Sequence, residues 1–190
     1  EFDDSVIFAL RDPNDASNPI GPDWLEELAR DCTALGGYGV LTILTTLLAV
    51  FLSVDQQKRR SWYMVAVILG GYLVSMGLKA AVGRSRPDLV PTLTHFHSTS
   101  FPSGHAMMSA VVYGTFSLTL ADLSSRQRFG WLLIVAPLLI SLLVGFTRVY
   151  LGVHFLTDVV AGWSIGMTWA VGWWLAGRRW SAARSRQQIR

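Results

Sequence analysis

His154 and Asp158 stand four residues apart, a spacing that puts both on one face of a helix. A carboxylate so placed can accept a proton from one ring nitrogen of the imidazole. That fixes the tautomer and leaves the other nitrogen free to attack an electrophile. Taken alone, the pair is equally a helical His–Asp contact of small structural value. His105 lies on a different stretch of chain and can protonate a departing alkoxide, although alone it reads as a histidine at a helix end. Lys79, Arg86 and Arg148 add three cations, about the compensation a phosphate dianion needs in a partly dry cleft. Each of these by itself is a side chain snorkelling to lipid head groups. Pro102-Ser103-Gly104-His105 suits the opening of a helix, with Pro102 in its first turn. The Ser103 and Gly104 amides and the Ser103 hydroxyl would then stand at the positive helix end, where Gly104 lets an anion approach the backbone.

In combination these groups describe in-line phosphoryl transfer. His154 attacks phosphorus and becomes a phosphohistidine, and His105 protonates the leaving oxygen. His105 then activates water as a base. Lys79, Arg86, Arg148, Ser103 and the Gly104 amide stabilise the equatorial oxygens.

The elements that must position these groups are membrane helices. The chain has 190 residues, 51% of them hydrophobic and only 15% charged, with a mean hydropathy of +0.37. That is too apolar for disorder and too poorly charged for a soluble surface. Five apolar stretches, 34–54, 62–81, 101–121, 129–147 and 155–177, each approach the ~20 residues that cross hydrocarbon as a helix. Their apolar positions lack period two, which excludes a barrel, and backbone in lipid must satisfy its own hydrogen bonds. Cys32 is the only cysteine, which excludes an internal disulfide and a thiolate-rich zinc site. Gly162 and Gly166 form a small-xxx-small pair for close helix packing.

Charge gives the orientation. Lys58, Arg59 and Arg60, then Arg126 and Arg128, then Arg178, Arg179, Arg184, Arg186 and Arg190 lie on alternate connections, ten of the sixteen basic residues. By the positive-inside rule these are cytoplasmic. Residues 1–33, with nine acids against Arg11 and Arg30, then lie outside with 82–100 and 148–154. The basic balance therefore reports membrane orientation and not a nucleic-acid groove. Trp62, Tyr63, Trp131, Trp173, Trp174 and Trp180 read as a belt at the cytoplasmic interface. Asp23-Trp24-Leu25-Glu26 resembles a capping box opening an amphipathic helix on the outer surface. The expected architecture is one all-α polytopic transmembrane bundle with short outer-face helices. Residues 1–33 form its outer segment, 34–177 the membrane bundle and 178–190 a cytoplasmic basic tail. An outer start for residue 1 implies a further span in any preceding segment, hence five spans here and six in a complete chain.

Three blocks in order, Lys79-x6-Arg86-Pro87, Pro102-Ser-Gly-His105 and Thr147-Arg148-x5-His154-x3-Asp158, resemble the membrane type-2 phosphatidic acid phosphatase family. That family shares its site with vanadium haloperoxidases and some bacterial acid phosphatases. Thr147 departs from the usual Ser but keeps the hydroxyl. The resemblance implies the same roles for the same residues, with no metal and no cofactor. Together with the compactness of the chain it points to a bacterial inner membrane, and the charge topology turns the site toward the periplasm or exterior. The soluble remainder is too small for a separate substrate domain, which favours a lipid phosphate entering from the bilayer. Phosphatidic acid, phosphatidylglycerol phosphate, a polyprenyl diphosphate and a lipid A-type phosphate all fit. The motifs do not choose among them, nor do they give the oligomeric state.

Competing readings are a vanadate-dependent haloperoxidase, a phosphotransferase using the same histidines, and an anion transporter or channel. The membrane spans weigh against the first, and the lack of paired broken helices weighs against the last. Arg84 divides evenly between substrate contact and head-group anchoring. His95 and His97 form a His-x-His in the outer loop, where a solvated or substrate-facing role outweighs an imidazole metal site.

Overall fold

A computed structural model describes residues 1–87, 99–123 and 131–188, with Leu123 and residues 181–188 described by their backbone alone. His95, His97, Arg126, Arg128 and the side chains of Arg184, Arg186 and Arg190 lie outside the described residues. Seven helices are described: α1 Phe2–Ala9, α2 Asp23–Ala34, α3 Tyr38–Val54, α4 Lys58–Val82, α5 Gly104–Leu123, α6 Leu132–Tyr150 and α7 Leu156–Gln188. Among the described residues there is no strand, only one isolated bridge between Arg11 and Pro19.

Polarity is distributed as in a protein dissolved in lipid. Leu47, Leu73, Leu139 and Phe146 stand exposed, while Ser75, Ser109 and Ser141 are buried. An apolar exterior around a core that includes hydroxyls fits hydrocarbon surroundings, where packing and interhelical hydrogen bonds hold helices together. Ser109 and Ser141 pair at 3.0 Å across α5 and α6, and Trp163 of α7 donates to the Ser141 carbonyl at 3.0 Å.

Among the described residues three helices, α4, α6 and Leu156–Trp180 of α7, are long and apolar enough to cross a membrane. The count becomes four if α2 and α3, which meet at a 45° bend, form one broken span. α5, where the sequence predicts a further crossing, is not among those counted. That helix carries His105, Ser109, Thr115, Ser117 and Thr119, and nearly every side chain of its first half is buried among its neighbours. A helix shielded from lipid by protein can carry polar groups that a lipid-facing helix cannot.

α5 packs chiefly against α7 and α6. A Cβ on Gly166 would come within 2.5 Å of the Met107 carbonyl oxygen, and one on Gly162 within 3.0 Å of the Met107 nitrogen. The small-xxx-small pair therefore brings α7 against the backbone of α5 and sets Asp158 beside the start of α5. At the opposite end, Arg59 lies over the Trp180 ring at 4.7 Å and Arg178 over Trp174 at 4.9 Å, so the aromatic belt is also a platform for arginines.

The N-terminal segment is tied to the site end. Buried Arg11 donates to the Tyr150 carbonyl at 2.8 Å, and the Tyr150 hydroxyl donates to the Ile20 carbonyl at 2.8 Å. The capping box expected at Asp23 does not form. Pro22 occupies the cap, Asp23 is already helical, and Glu26 instead pairs with Arg30 one turn on, at 2.5 Å. The amphipathic character holds: Ala29 is buried while Trp24 and Leu28 remain exposed.

Gly166→Ala should lower stability by ~1–3 kcal/mol because the added methyl meets backbone. Gly172→Ala, with nothing within 4 Å of its Cβ, should not. Melting of the two variants in detergent checks the contrast.

Candidate active site

The site forms where the ends of α4, α5 and α6 meet the start of α7. Gly83, at φ +62°, ends α4 in a left-handed turn that a residue with a Cβ adopts at a cost. The chain then runs back so that Arg86 reaches the α6–α7 connection. Arg86 Nη1 donates to the Val153 carbonyl at 2.9 Å and lies 3.2 Å from His154 Nε2. Lys79, in the last turn of α4, is buried and donates to the Thr99 carbonyl at 2.8 Å. Arg148, near the end of α6, is buried and donates to Thr33 Oγ1 of α2 at 3.1 Å. His105, the second residue of α5, is within electrostatic reach of Lys79, Arg86, Arg148 and His154. Lys79, Arg86, His105, Arg148 and His154 thus converge from three helices and the segments that follow α4 and α6.

The donors decide the tautomer of His154. A guanidinium can only donate, so Nε2 accepts from Arg86 and carries the lone pair, and the proton sits on Nδ1. That nitrogen lies 3.6 Å from Asp158 Oδ2, beyond hydrogen-bonding range, and 3.3 Å from Ser100 Oγ. Ser100 in turn donates to Asp158 Oδ2. The expected His154–Asp158 pair is present as this 3.6 Å approach and is bridged in addition by a fully buried serine that sequence reasoning missed. Asp158 Oδ2 also accepts from the Phe155 amide at 3.1 Å. Burial holds His154, in the α6–α7 connection and 1% exposed, down to about 4. Arg86 and Arg148 act in the same direction, while Asp158 works against them. The imidazole is neutral at pH 7 and able to attack.

The helix opening differs in detail from expectation. α5 begins at Gly104, so Pro102 precedes the first turn, and Ser103 is the residue whose carbonyl accepts from Met107. The Ser103 amide is spent on the Asp158 carbonyl at 3.0 Å and cannot serve an anion. Its hydroxyl is buried and has no partner among the described residues, which leaves a donor for an incoming oxygen. A Cβ on Gly104 would come within 2.8 Å of the Tyr38 hydroxyl and 3.6 Å of Lys79 Cε. The glycine thus admits Tyr38 of α3 beside the cationic cluster, another group the sequence did not reveal. Thr147 Oγ1 donates to the Val144 carbonyl at 2.7 Å, within its own helix. Arg84 pairs with Asp3 at 2.9 Å and with Asp158 at 2.7 Å.

Arrangements of this kind bind a tetrahedral oxyanion and present it to an imidazole. If Ser100 holds the His154 tautomer, Ser100→Ala should cut phosphoester turnover about tenfold, the size of one neutral hydrogen bond, with KM little changed. Steady-state phosphate release gives both constants.

Comparison with known proteins agrees with this geometry. Residues 60–181 match the family model of the PAP2 superfamily. Phosphatidylglycerophosphatase B of Bacillus subtilis is 36% identical over 152 residues, covering 78% of this chain and 73% of the relative. A lipid A 1-phosphatase of Rhizobium etli is 32% identical over 115 residues, covering 56% of this chain and 45% of the relative. The crystal structure of a transmembrane PAP2-type phosphatidylglycerolphosphate phosphatase from Bacillus subtilis superposes with a TM-score of 0.84 at 30% identity, covering 94% of this chain and 85% of the other. With its helices, its convergent histidines and these matches in accord, the chain belongs to the PAP2 superfamily.

Proposed function

We propose that this integral membrane protein hydrolyses the phosphate of a lipid through a phosphohistidine on His154. The observation that carries the reading is the environment of His154 Nε2. Its lone pair faces Arg86, with Arg148 acting on the same imidazole and Lys79 within electrostatic reach of both arginines. His154 Nε2 attacks phosphorus in line, and the bond to the lipid oxygen breaks. His105 gives that oxygen its proton. Water then attacks the phosphohistidine and passes a proton to His105, and the N–P bond breaks to release phosphate. Lys79, Arg86, Arg148, Ser103 and the Gly104 amide stabilise charge on the three equatorial oxygens. Asp158 orients His154 through Ser100.

Phosphatidylglycerol phosphate is the first substrate to test, since the relative matched over most of the chain and the solved structure at TM-score 0.84 are both named for it. The lipid A and undecaprenyl relatives make a lipid A 1-phosphate and a polyprenyl diphosphate the next. The protein is read as one domain with α5 as a fifth crossing, enclosed by α4, α6 and α7. Its site is read as facing the exterior or periplasm, supported by the acidic segment 1–33 at the site end and the arginine–tryptophan pairs at the other.

His154→Ala should fold, insert and lose at least ~10³-fold in turnover, as expected when a nucleophile is removed. Phosphate release from purified protein against a panel of these lipids measures it, and wild-type-like activity in the variant would sink the assignment. A histidine-driven route also predicts the same rate after dialysis against a chelator, and a steep loss there counts against it. A labelled phosphoryl group recovered on a second lipid instead of in free phosphate would indicate transfer in place of hydrolysis.

A further inference from the structure

Arg84 lies between Lys79 and Arg86 in sequence, yet it engages the opposite side of the catalytic carboxylate from His154. Its Nη1 donates to Asp158 Oδ1 at 2.7 Å and to Thr157 Oγ1 at 2.8 Å. Nη2 donates to Asp3 Oδ2 at 2.9 Å, and the guanidinium lies 4.3 Å from the centre of the Phe155 ring. Asp158 Oδ2, the other oxygen, serves Ser100 and nears His154. The carboxylate thus stands between Arg84 and the imidazole. Asp3, on α1, is itself fixed: it accepts from the Thr157 amide at 3.1 Å and from Thr157 Oγ1 at 2.5 Å, at the positive start of α7. The Arg84 carbonyl also accepts from the Ser100 amide at 2.8 Å. Both groups that orient His154, the carboxylate and the serine, therefore hang on one residue.

We propose that Arg84, held in place by Asp3 of α1, is a positioning residue that fixes Asp158 and shares its charge, so that His154 stays a neutral nucleophile. The inference rests on the reading of His154 as nucleophile. An Asp158 carboxylate with no other cation would pair with a protonated His154, and an imidazolium cannot attack. Arg84 competes for that negative charge from the far side. Arg86 and Arg148 of α6 oppose the protonation of His154 in the same sense, and His105 of α5 is within electrostatic reach of it and of Lys79 of α4. Asp3 offsets part of the Arg84 charge but keeps the guanidinium from swinging away. Burial would pull the Arg84 pKa down, but its bonds to Asp3 and Asp158 raise it above the usual value, so it remains charged throughout the working range.

The sign of the effect follows. Without Arg84, the His154 pKa rises, and the neutral form is lost at a higher pH as the solution is acidified. Ionisation of the substrate is common to both enzymes and cancels in the ratio of variant to wild type.

The test compares wild type, Arg84→Gln, Asp3→Ala and His154→Ala in detergent or liposomes with one phosphomonoester lipid between pH 5.5 and 8.5. Arg84→Gln should lower kcat roughly tenfold at pH 7.5 while KM changes less than about twofold, as expected for loss of a charged hydrogen bond away from the substrate. Its rate relative to wild type should fall further as pH drops. Asp3→Ala should lower kcat about threefold with KM unchanged, the effect of loosening one charge-assisted tether, and Arg84→Lys should recover part of the Arg84→Gln loss. A raised KM with kcat retained makes Arg84 a substrate contact and overturns the proposal. So does a lower melting temperature with an unshifted pH profile, the mark of a purely structural role. If Arg84→Gln does not fold, Asp3→Ala decides, and wild-type kcat there overturns the proposal. Inactive wild type or active His154→Ala would instead refute the proposed function, so the two failures are distinguishable.

Discussion

Gathering cations where water is scarce is the constraint around which this molecule is built. Lys79, Arg86 and Arg148 point into one half-buried space, and like charges at short range in a low dielectric repel strongly. Only one buried carboxylate, Asp158, is described beside them. Among the described residues, neutral acceptors help to hold the cations in place: the Thr99 carbonyl for Lys79, the Val153 carbonyl for Arg86 and Thr33 Oγ1 for Arg148. Carbonyl dipoles steady a cation without cancelling its charge, so the field remains directed at an incoming anion. Cations gathered in a low dielectric are costly until an anion joins them, which is the form of preorganisation that charge-stabilised phosphoryl transfer uses.

That arrangement dictates the connections. Each cation comes from a helix end or the segment just after it, and each tether comes from a different segment: 99–100, the α6–α7 connection and α2. The N-terminal region contributes through Asp3 and Arg11, which lock α1 and the following loop to the starts and ends of the helices that carry the site. Residues 1–34 therefore belong to the structure of the site and not merely to a surface appendage.

Much of this was legible in the amino-acid order because the chemistry-bearing residues sit at fixed spacings beside helix ends. Lys79, Arg86, His105, Arg148, His154 and Asp158 could be assembled from motif spacing and the rule that charges at membrane depth seek a polar cavity. Ser100, Tyr38 and Thr33 could not, because their nearness to the site arises from tertiary approach. Nothing local marks Ser100 as the bridge between His154 and Asp158. Ser103 was legible as a hydroxyl donor, but the loss of its amide to the Asp158 carbonyl depends on how α7 meets α5. The supposed cap at Asp23 failed for a local reason: Pro22 supplies the extended backbone of the cap, so Asp23 is already the first helical residue and its side chain is not in the capping position.

α5 shows how a helix enclosed by its neighbours carries polar groups. The helix that presents His105 and the Ser103 hydroxyl must be approached closely from several sides, and close approach demands small residues and tolerates hydroxyls. Gly162 and Gly166 of α7 touch its backbone, and Ser109 pairs with Ser141 of α6. Each feature lowers the apolar content of the contact, and each is permitted only because α4, α6 and α7 turn their leucines, valines and phenylalanines outward. α5 is thus an enclosed helix that carries polar groups in its buried first half. Its polarity is a consequence of carrying the site: a more lipid-like α5, with bulky apolar side chains on every face, could not bring the Asp158 carbonyl within reach of the Ser103 amide or leave room for an anion at its start.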